Sequence, residues 1–481
     1  MKRLFFNNIL LLILLNVTIK VFWVLGIDRT VQNMVGAEAY GFYFSLFSFS
    51  VLFNILLDFG ITSYNNRRVA GDPGQLGLMI GNIFIIRFVF AIVYALLVFG
   101  FASLISYDRS RLMMLAVLAL NQFLASFIIY LRSNIAALQM YRLDSFLSVT
   151  DRFLMILICG TLIWGGITDS SFRIEWFVYS QTAAYSLTFI LALVVVLIRG
   201  RVLSLDFDIK GAVKILRESA PFALLSLFMA VYWRIDSVML ERMLDEGSVS
   251  AGVYAQAFRL LDAAAMMPYL FAVILLPMFS RMLSRGLDAL QLLRFSALLL
   301  FIPAFAASLI SLLYSAEIME LLYVEHVSES ACVLSILMAG YVPVAVIYIF
   351  STYLTAMGKM RLLNIMAGCG MLINLLLNFY LIPRMGVRGS AIASVSVQLF
   401  MSIAFFIYVT FIQGRGISLV SAVRLISYIA AMVLSVIVID MLGCGWIISS
   451  LLVIVFSAAF PFICGLLRGR EIVSFSGLGH L

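Results

Sequence analysis

The feature that most constrains this chain is a series of nearly continuous apolar runs, separated by short polar turns. The runs are about 20 residues long, the helical length that crosses roughly 30 Å of hydrocarbon. Lipid offers a backbone no hydrogen-bond partners, so only α-helices or closed barrels can span it. Barrel strands would alternate apolar and polar residues, and these runs do not alternate. The sequence is 64% hydrophobic and 12% charged, against roughly 45–50% and about 25% in soluble domains. The expectation is an all-α polytopic membrane protein with about 14 transmembrane helices.

The runs place six helices at 8–27, 40–60, 77–104, 112–138, 148–166 and 176–198. Six more follow at 219–240, 251–279, 293–314, 328–356, 362–383 and 388–411, and a last pair at 419–440 and 445–467. This predicts an N-terminal lobe over 1–198, an inter-lobe loop over 199–218 and a C-terminal lobe over 219–411. The helix pair and tail take 412–481. Two sets of six start on the same side of the membrane, so a repeat between them would be parallel. A faint echo supports it: the second helix opens Tyr40-Gly41-Phe42-Tyr43 and the eighth opens Gly252-Val253-Tyr254. Lys2 and Arg3 precede the first run as in a signal peptide. No small-residue cleavage site follows at Leu25-Gly26-Ile27-Asp28, so the first helix is expected to be retained.

The net charge of +8 raises the question of nucleic acid, which its distribution answers. With a cytoplasmic N-terminus, the inner turns hold Lys2, Arg3, Arg67, Arg68, Arg142, Arg199, Arg201, Lys210, Lys214, Arg217, Arg281, Arg285, Arg294, Lys359, Arg361, Arg415, Arg424, Arg468 and Arg470. The outer turns hold only Arg29, Arg109, Arg111, Arg173, Arg242, Arg384 and Arg388, seven against nineteen. This is the positive-inside bias of membrane proteins, not a nucleic-acid patch. It puts both termini in the cytoplasm. The five cysteines, Cys159, Cys332, Cys369, Cys444 and Cys464, share no CxxC spacing and read as packing residues. With histidine only at positions 326 and 480, and no HExxH, GxSxG or GxxxxGK[ST], no enzyme, cofactor or metal site is expected.

The informative residues are charges inside the apolar runs. Each costs at least about 2.5–3.5 kcal/mol to place there, so it normally faces a cavity or a partner. Lys20, Arg87, Arg132, Arg152, Arg234 and Arg259 are the cations; Asp58, Asp151, Asp236 and Asp262 are the acids. Cations from both lobes, six against four, would line a central hollow suited to an anion, and above all a phosphate, which guanidinium matches in geometry. Each has a blander reading. Arg259 and Asp262 can pair at i, i+3, Arg152 adjoins Asp151, and Lys20 or Arg152 can snorkel to an interface. Arg87, deep in its helix, is the hardest to explain away. Asp58 and Asp262 are the candidate ion-coupling acids. Asn374 and Asn378, one turn apart, read as interhelical hydrogen-bonding groups.

The stretch from Asn374 through Asn378, Pro383, Gly386 and Gly389 to Ala391 and Ala393 resembles a signature of polysaccharide flippases. So does Gly36-Ala37-Glu38-Ala39-Tyr40-Gly41-Phe42-Tyr43, followed by Leu57-Asp58-Phe59-Gly60-Ile61 and Asn65-Asn66-Arg67. Together they resemble the O-antigen and capsular polysaccharide exporters of the multidrug/oligosaccharidyl-lipid/polysaccharide superfamily. Ser390 stands where alanine is usual in that family, a minor departure. The resemblance implies alternating access, in a bacterial inner membrane, to an undecaprenyl-diphosphate-linked oligosaccharide. It also implies surrounding membrane lipid, with a polysaccharide polymerase and glycosyltransferases as partners and coupling to protons or sodium left open. The competing readings are a multidrug exporter of the same superfamily, which would want buried acids to dominate, and a membrane polymerase or ligase, which would want a large outer loop.

Overall fold

The computed structural model describes residues 15–16, 18–62, 76–138, 140–165, 172–200, 209–412 and 419–467. The expectations placed on Lys2, Arg3, Arg67, Arg68, Arg201, Arg415, Arg468, Arg470, Asn65, Asn66 and His480 lie outside the described residues. The described chain is helical, with no strand. Twelve of its helical segments are long and apolar enough to cross a membrane.

A π-helical turn, Trp23–Asp28, runs directly into α1 (Arg29–Leu52), and α2 (Ile55–Asp58) follows. Under the two-lobe division expected from sequence, the first lobe continues with α3 (Leu76–Leu104), α4 (Arg109–Ala137), α5 (Tyr141–Trp164) and α6 (Ile174–Gly200). The second holds α7 (Ile209–Met243), α8 (Gly247–Ser284), α9 (Leu290–Leu313), α10 (Ser315–Leu322), α11 (Val327–Ala339), α12 (Tyr341–Ala356), α13 (Met360–Met385) and α14 (Val387–Ile407). The closing pair is α15 (Leu419–Met441) and α16 (Trp446–Ile463). Each element follows from the same cause: an apolar run in lipid satisfies its backbone only by coiling on itself.

Several boundaries differ from the hydropathy reading. The turn expected at 28–39 is helical throughout, bent only at Gly36, whose φ of 81° breaks the helical pattern. Such a φ is open to glycine and strained for other residues. The segment is polar in sequence, yet Asp28, Val31, Gln32 and Ala37 along it are buried, which hydropathy cannot foresee. Helix α5 starts at Tyr141, not 148, and the inter-lobe loop is shorter than 199–218, because α6 reaches Gly200 and α7 begins at Ile209. The expected span 328–356 is two helices meeting at Gly340.

The lobes meet closely along α1 and α8. A Cβ at Gly41 would come within 1.8 Å of the Ser248 carbonyl oxygen, and one at Gly252 within 2.0 Å of the Ala37 carbonyl oxygen. Only bare backbone fits at that crossing. The two glycine–tyrosine echoes noted in sequence therefore face each other across the lobe interface. The closing pair packs on α9, where the rings of Phe301 and Phe305 lie 6.2 and 6.1 Å from that of Tyr428 on α15.

Candidate functional site

Helix α1 carries an aromatic ladder along its contact with the second lobe. Tyr40, Phe44 and Phe47 come from one face of it, by i, i+3 and i+4 spacing. Two cations of the second lobe converge on the last of these rings. The guanidinium carbon of Arg234 (α7) lies 5.7 Å from the Phe47 centroid and that of Arg259 (α8) 5.9 Å. Arg259 also covers Phe44, at 5.1 Å, and Arg234 covers Phe258, at 5.3 Å. In the first lobe Arg152 (α5) sits 5.4 Å from the Trp23 ring. Lys20 lies within the electrostatic reach of Arg152, Arg132 and Asp151.

Five of the six cations singled out in sequence hold a carboxylate. Arg259 pairs with Asp28 at 3.3 Å. Arg234 pairs with Asp262 at 3.3 Å. Arg132 pairs with Asp144 at 2.8 Å and Arg152 with Asp151 at 3.7 Å. Arg87 pairs with Asp58. Among the described residues Lys20 makes no such pair. Two of these five carboxylates, Asp28 and Asp144, come from stretches expected to be turns. The cause is the helix boundaries: Asp28 ends the π-helical turn and is 1% exposed, and Asp144 lies half-buried in the first turn of α5. The expected Arg259–Asp262 pairing on one helix face is also replaced, because Asp28 claims Arg259 and Arg234 claims Asp262.

These pairs differ in what they can do. Arg87 is 0% exposed. Its Nη2 donates to Asp58 and, at 2.6 Å, to Thr62 Oγ1; its Nη1 donates to the Ser126 carbonyl and hydroxyl at 3.1 and 3.0 Å. The rings of Tyr130 and Phe127 cover it at 4.6 and 5.5 Å. It binds α2, α3 and α4 together and has no face open to a hollow. Arg234 is less enclosed, its side chain 14% exposed: its Nη2 holds Asp262, while its Nη1, like the Arg87 Nε, is buried without a hydrogen-bond partner.

Asp236 on α7 is 2% exposed and is held by neutral donors alone. Tyr254 O–H donates at 2.8 Å, Asn378 Nδ2 at 2.6 Å, Asn374 Nδ2 at 3.3 Å, and Ser394 Oγ also donates. This is the interhelical bonding expected of Asn374 and Asn378. The first lobe repeats the theme, with Tyr40 O–H donating to Asp28 at 2.8 Å. In each lobe a tyrosine beside the close-packed glycines serves an aspartate of the preceding span. The tyrosines had a signal in sequence, the Gly-Tyr echo. Asp28 had none, because it was placed in a turn.

One end of the lobe interface is sealed. Arg29 Nη2 donates to the Leu321 carbonyl at 3.0 Å, Asn33 Nδ2 to the Leu322 carbonyl at 2.8 Å, and Arg111 pairs with Glu241 at 2.9 Å. The Ala37 N–H, released from the helix by the bend at Gly36, donates to Glu325 Oε2 at 2.9 Å. Burial between the lobes holds the Tyr323 hydroxyl well above the usual tyrosine range.

The chain matches the family model described as polysaccharide biosynthesis protein over residues 5–283. No curated protein matches it significantly. Solved structures share the fold at low identity. The lipid II flippase MurJ, in an inward closed conformation, is 14% identical with a TM-score of 0.71, over 95% of this chain and 100% of that one. A mutant form of the Vibrio cholerae MATE transporter VcmN is 15% identical with a TM-score of 0.57, over 83% and 93%. A Pyrococcus furiosus transporter of the MOP superfamily, whose binding pocket has reversed polarity, is 13% identical with a TM-score of 0.59, over 83% and 94%.

Proposed function

The chain belongs to the polysaccharide biosynthesis protein family, and from that premise we propose that it is a flippase for a lipid-linked oligosaccharide. It moves an undecaprenyl-diphosphate-linked repeat unit from the inner to the outer leaflet of a bacterial inner membrane, for O-antigen, capsule or exopolysaccharide assembly. Both termini lie in the cytoplasm, and a polymerase and glycosyltransferases act on either side of the step. The observation that carries this reading is the convergence of Arg234 and Arg259 on the Phe47 ring, with Arg152 and Lys20 in the facing lobe.

A sugar diphosphate cannot cross hydrocarbon unaided, because its polar groups lose water with nothing in return. Guanidinium groups offset that loss by forked hydrogen bonds to phosphate. The pairing of each arginine makes this an exchange. Arg152, whose pair with Asp151 is the longest of the five at 3.7 Å, and Arg234, whose pair with Asp262 spans 3.3 Å, can hand their cations to the cargo, and the unpartnered Nη1 of Arg234 supplies a first donor. An aspartate that gives up its arginine becomes a group able to take a proton or a sodium ion. Asp262 suits that role better than Asp58, whose arginine is locked in place. Rocking of the lobes then opens the sealed end and closes the other.

The test is complementation of a flippase-deleted host by Arg152→Gln, Arg234→Gln and Arg259→Gln, with membrane levels checked. Loss of surface polysaccharide at normal protein levels supports the reading. Full complementation by all three sinks it. A multidrug exporter would instead change drug sensitivity in the same strains.

A further inference from the structure

The cations of the lobe interface account for the phosphates of a lipid-linked sugar and leave its first sugar ring without a place. Helix α8 turns Gly252 and Arg259 toward the first lobe, where they meet Ala37 and Asp28. Asp262, Met266 and Tyr269 continue that face at i+3 and i+4 spacing. Tyr269 is 52% exposed. Its ring meets that of Tyr348 on α12 edge-on, with centroids 6.4 Å apart and planes at 77°. Tyr348 in turn lies within the electrostatic reach of Asp262 and Arg234. We propose that the Tyr269 ring, braced by Tyr348, is the platform for the pyranose joined to the diphosphate. This rests on the flippase reading and adds a sugar subsite to it.

Position carries the first part of the argument. The Asp262 side chain is 30% exposed, and a carboxylate within an apolar helix opens on water or a polar partner, not on hydrocarbon. Tyr269 stands two turns further along the same face and opens on the same space. Seven residues of helix cover about 10 Å at 1.5 Å per residue, the reach from a diphosphate held by Arg234 to the ring bonded to it.

Chemistry carries the second. A pyranose with equatorial hydroxyls keeps its polar groups at the rim and presents C–H bonds on its two faces. Such a face lies flat on an aromatic ring, while the rim hydroxyls stay free to bond. Tyrosine offers this flat apolar area together with a polar tip, and it loses little side-chain freedom on binding. The edge-on contact with Tyr348 braces the ring without covering the flat faces of both, as a stack would. Tyrosine can also anchor a helix at the membrane–water boundary, but that role depends on the bilayer and is blind to the sugar.

The experiment uses the full chain, purified in neutral detergent and titrated with undecaprenyl diphosphate, either bare or carrying one N-acetylglucosamine. The parent is expected to bind the sugar-bearing lipid about tenfold more tightly than the bare one. Tyr269→Leu should bind both lipids equally, at the parent's affinity for the bare one and with the parent's Tm. Tyr269→Trp keeps a flat ring and should keep the preference. Tyr179→Leu removes a tyrosine of α6 that is 57% exposed and should behave as the parent does. Arg234→Gln should weaken both lipids alike. A preference that survives in Tyr269→Leu overturns the platform, and so does a loss of Tm and of bare-lipid binding together with the preference, which marks a structural tyrosine. A parent that binds neither lipid sinks the flippase reading and the platform with it, so the two failures are told apart.

Discussion

Arg259 of the second lobe and Asp28 of the first form an ion pair at 3.3 Å in the middle of the molecule, with Tyr40 O–H bonded to both. Asp28 is 1% exposed, so neither charge can be left alone cheaply. Breaking such a pair from one side costs about 3–5 kcal/mol, while removing both partners is often nearly neutral. Asp28→Asn and Arg259→Gln are each expected to lower Tm in detergent clearly, and the double variant to recover most of the loss. A double variant as unstable as the sum of the singles would show that the two residues act independently.

Arg87 gives the opposite profile to Arg234 at the lobe interface. It is sealed among Asp58, Thr62, Ser126 and two rings, so its work is to hold helices together. Arg87→Ala is expected to cost about 3–5 kcal/mol of stability and to reduce the protein found in membranes. Arg234→Gln should leave those levels normal and stop export. Blotting membranes alongside the export assay separates the two behaviours.

Asp236 is held only by neutral donors, which makes it a different kind of acid from Asp58 and Asp262. Asp236→Asn removes the charge and keeps the shape. If transport is driven by a proton or sodium gradient, Asp262→Asn should lose the response in reconstituted vesicles, whereas Asp236→Asn and Asp58→Asn should keep it. A gradient response undiminished in Asp262→Asn would rule out that acid as the coupling group.

The crossing of α1 and α8 leaves no room at Gly41 and Gly252. A methyl group at either would stand within about 2 Å of a backbone oxygen, so the helices must separate. Gly252→Ala is expected to favour the state open at the sealed end, by shifting the lobe equilibrium rather than unfolding either lobe. Labelling of a cysteine placed at Asn33, from the side of the seal, should speed up in this variant. Unchanged labelling would mean that the lobes stay closed by other means.

Much of the architecture was legible in the chain itself. Run length gave the helices, because hydrocarbon thickness sets it. The interior charges stood out for the same reason, since each is expensive in lipid. Asn374 and Asn378 were read as bonding groups, and they bond. The pairing of charges was not legible. Asp28 and Asp144 sit in stretches polar enough to pass for turns, and only the neighbouring helices show that they hold Arg259 and Arg132.

What the sequence determined is what a single segment in lipid determines: helical structure, the length of each span, and which side chains are too polar to face hydrocarbon. Those follow from local composition and a fixed bilayer. Partnership was decided by the tertiary structure alone. Arg259 could have bonded to Asp262 three residues away, yet it bonds to Asp28 more than two hundred residues distant, because the close approach of α1 and α8 at Gly41 and Gly252 brings that carboxylate within reach. An ion pair depends on distance through space, and in a bundle of helices that distance is fixed by packing and not by spacing along the chain.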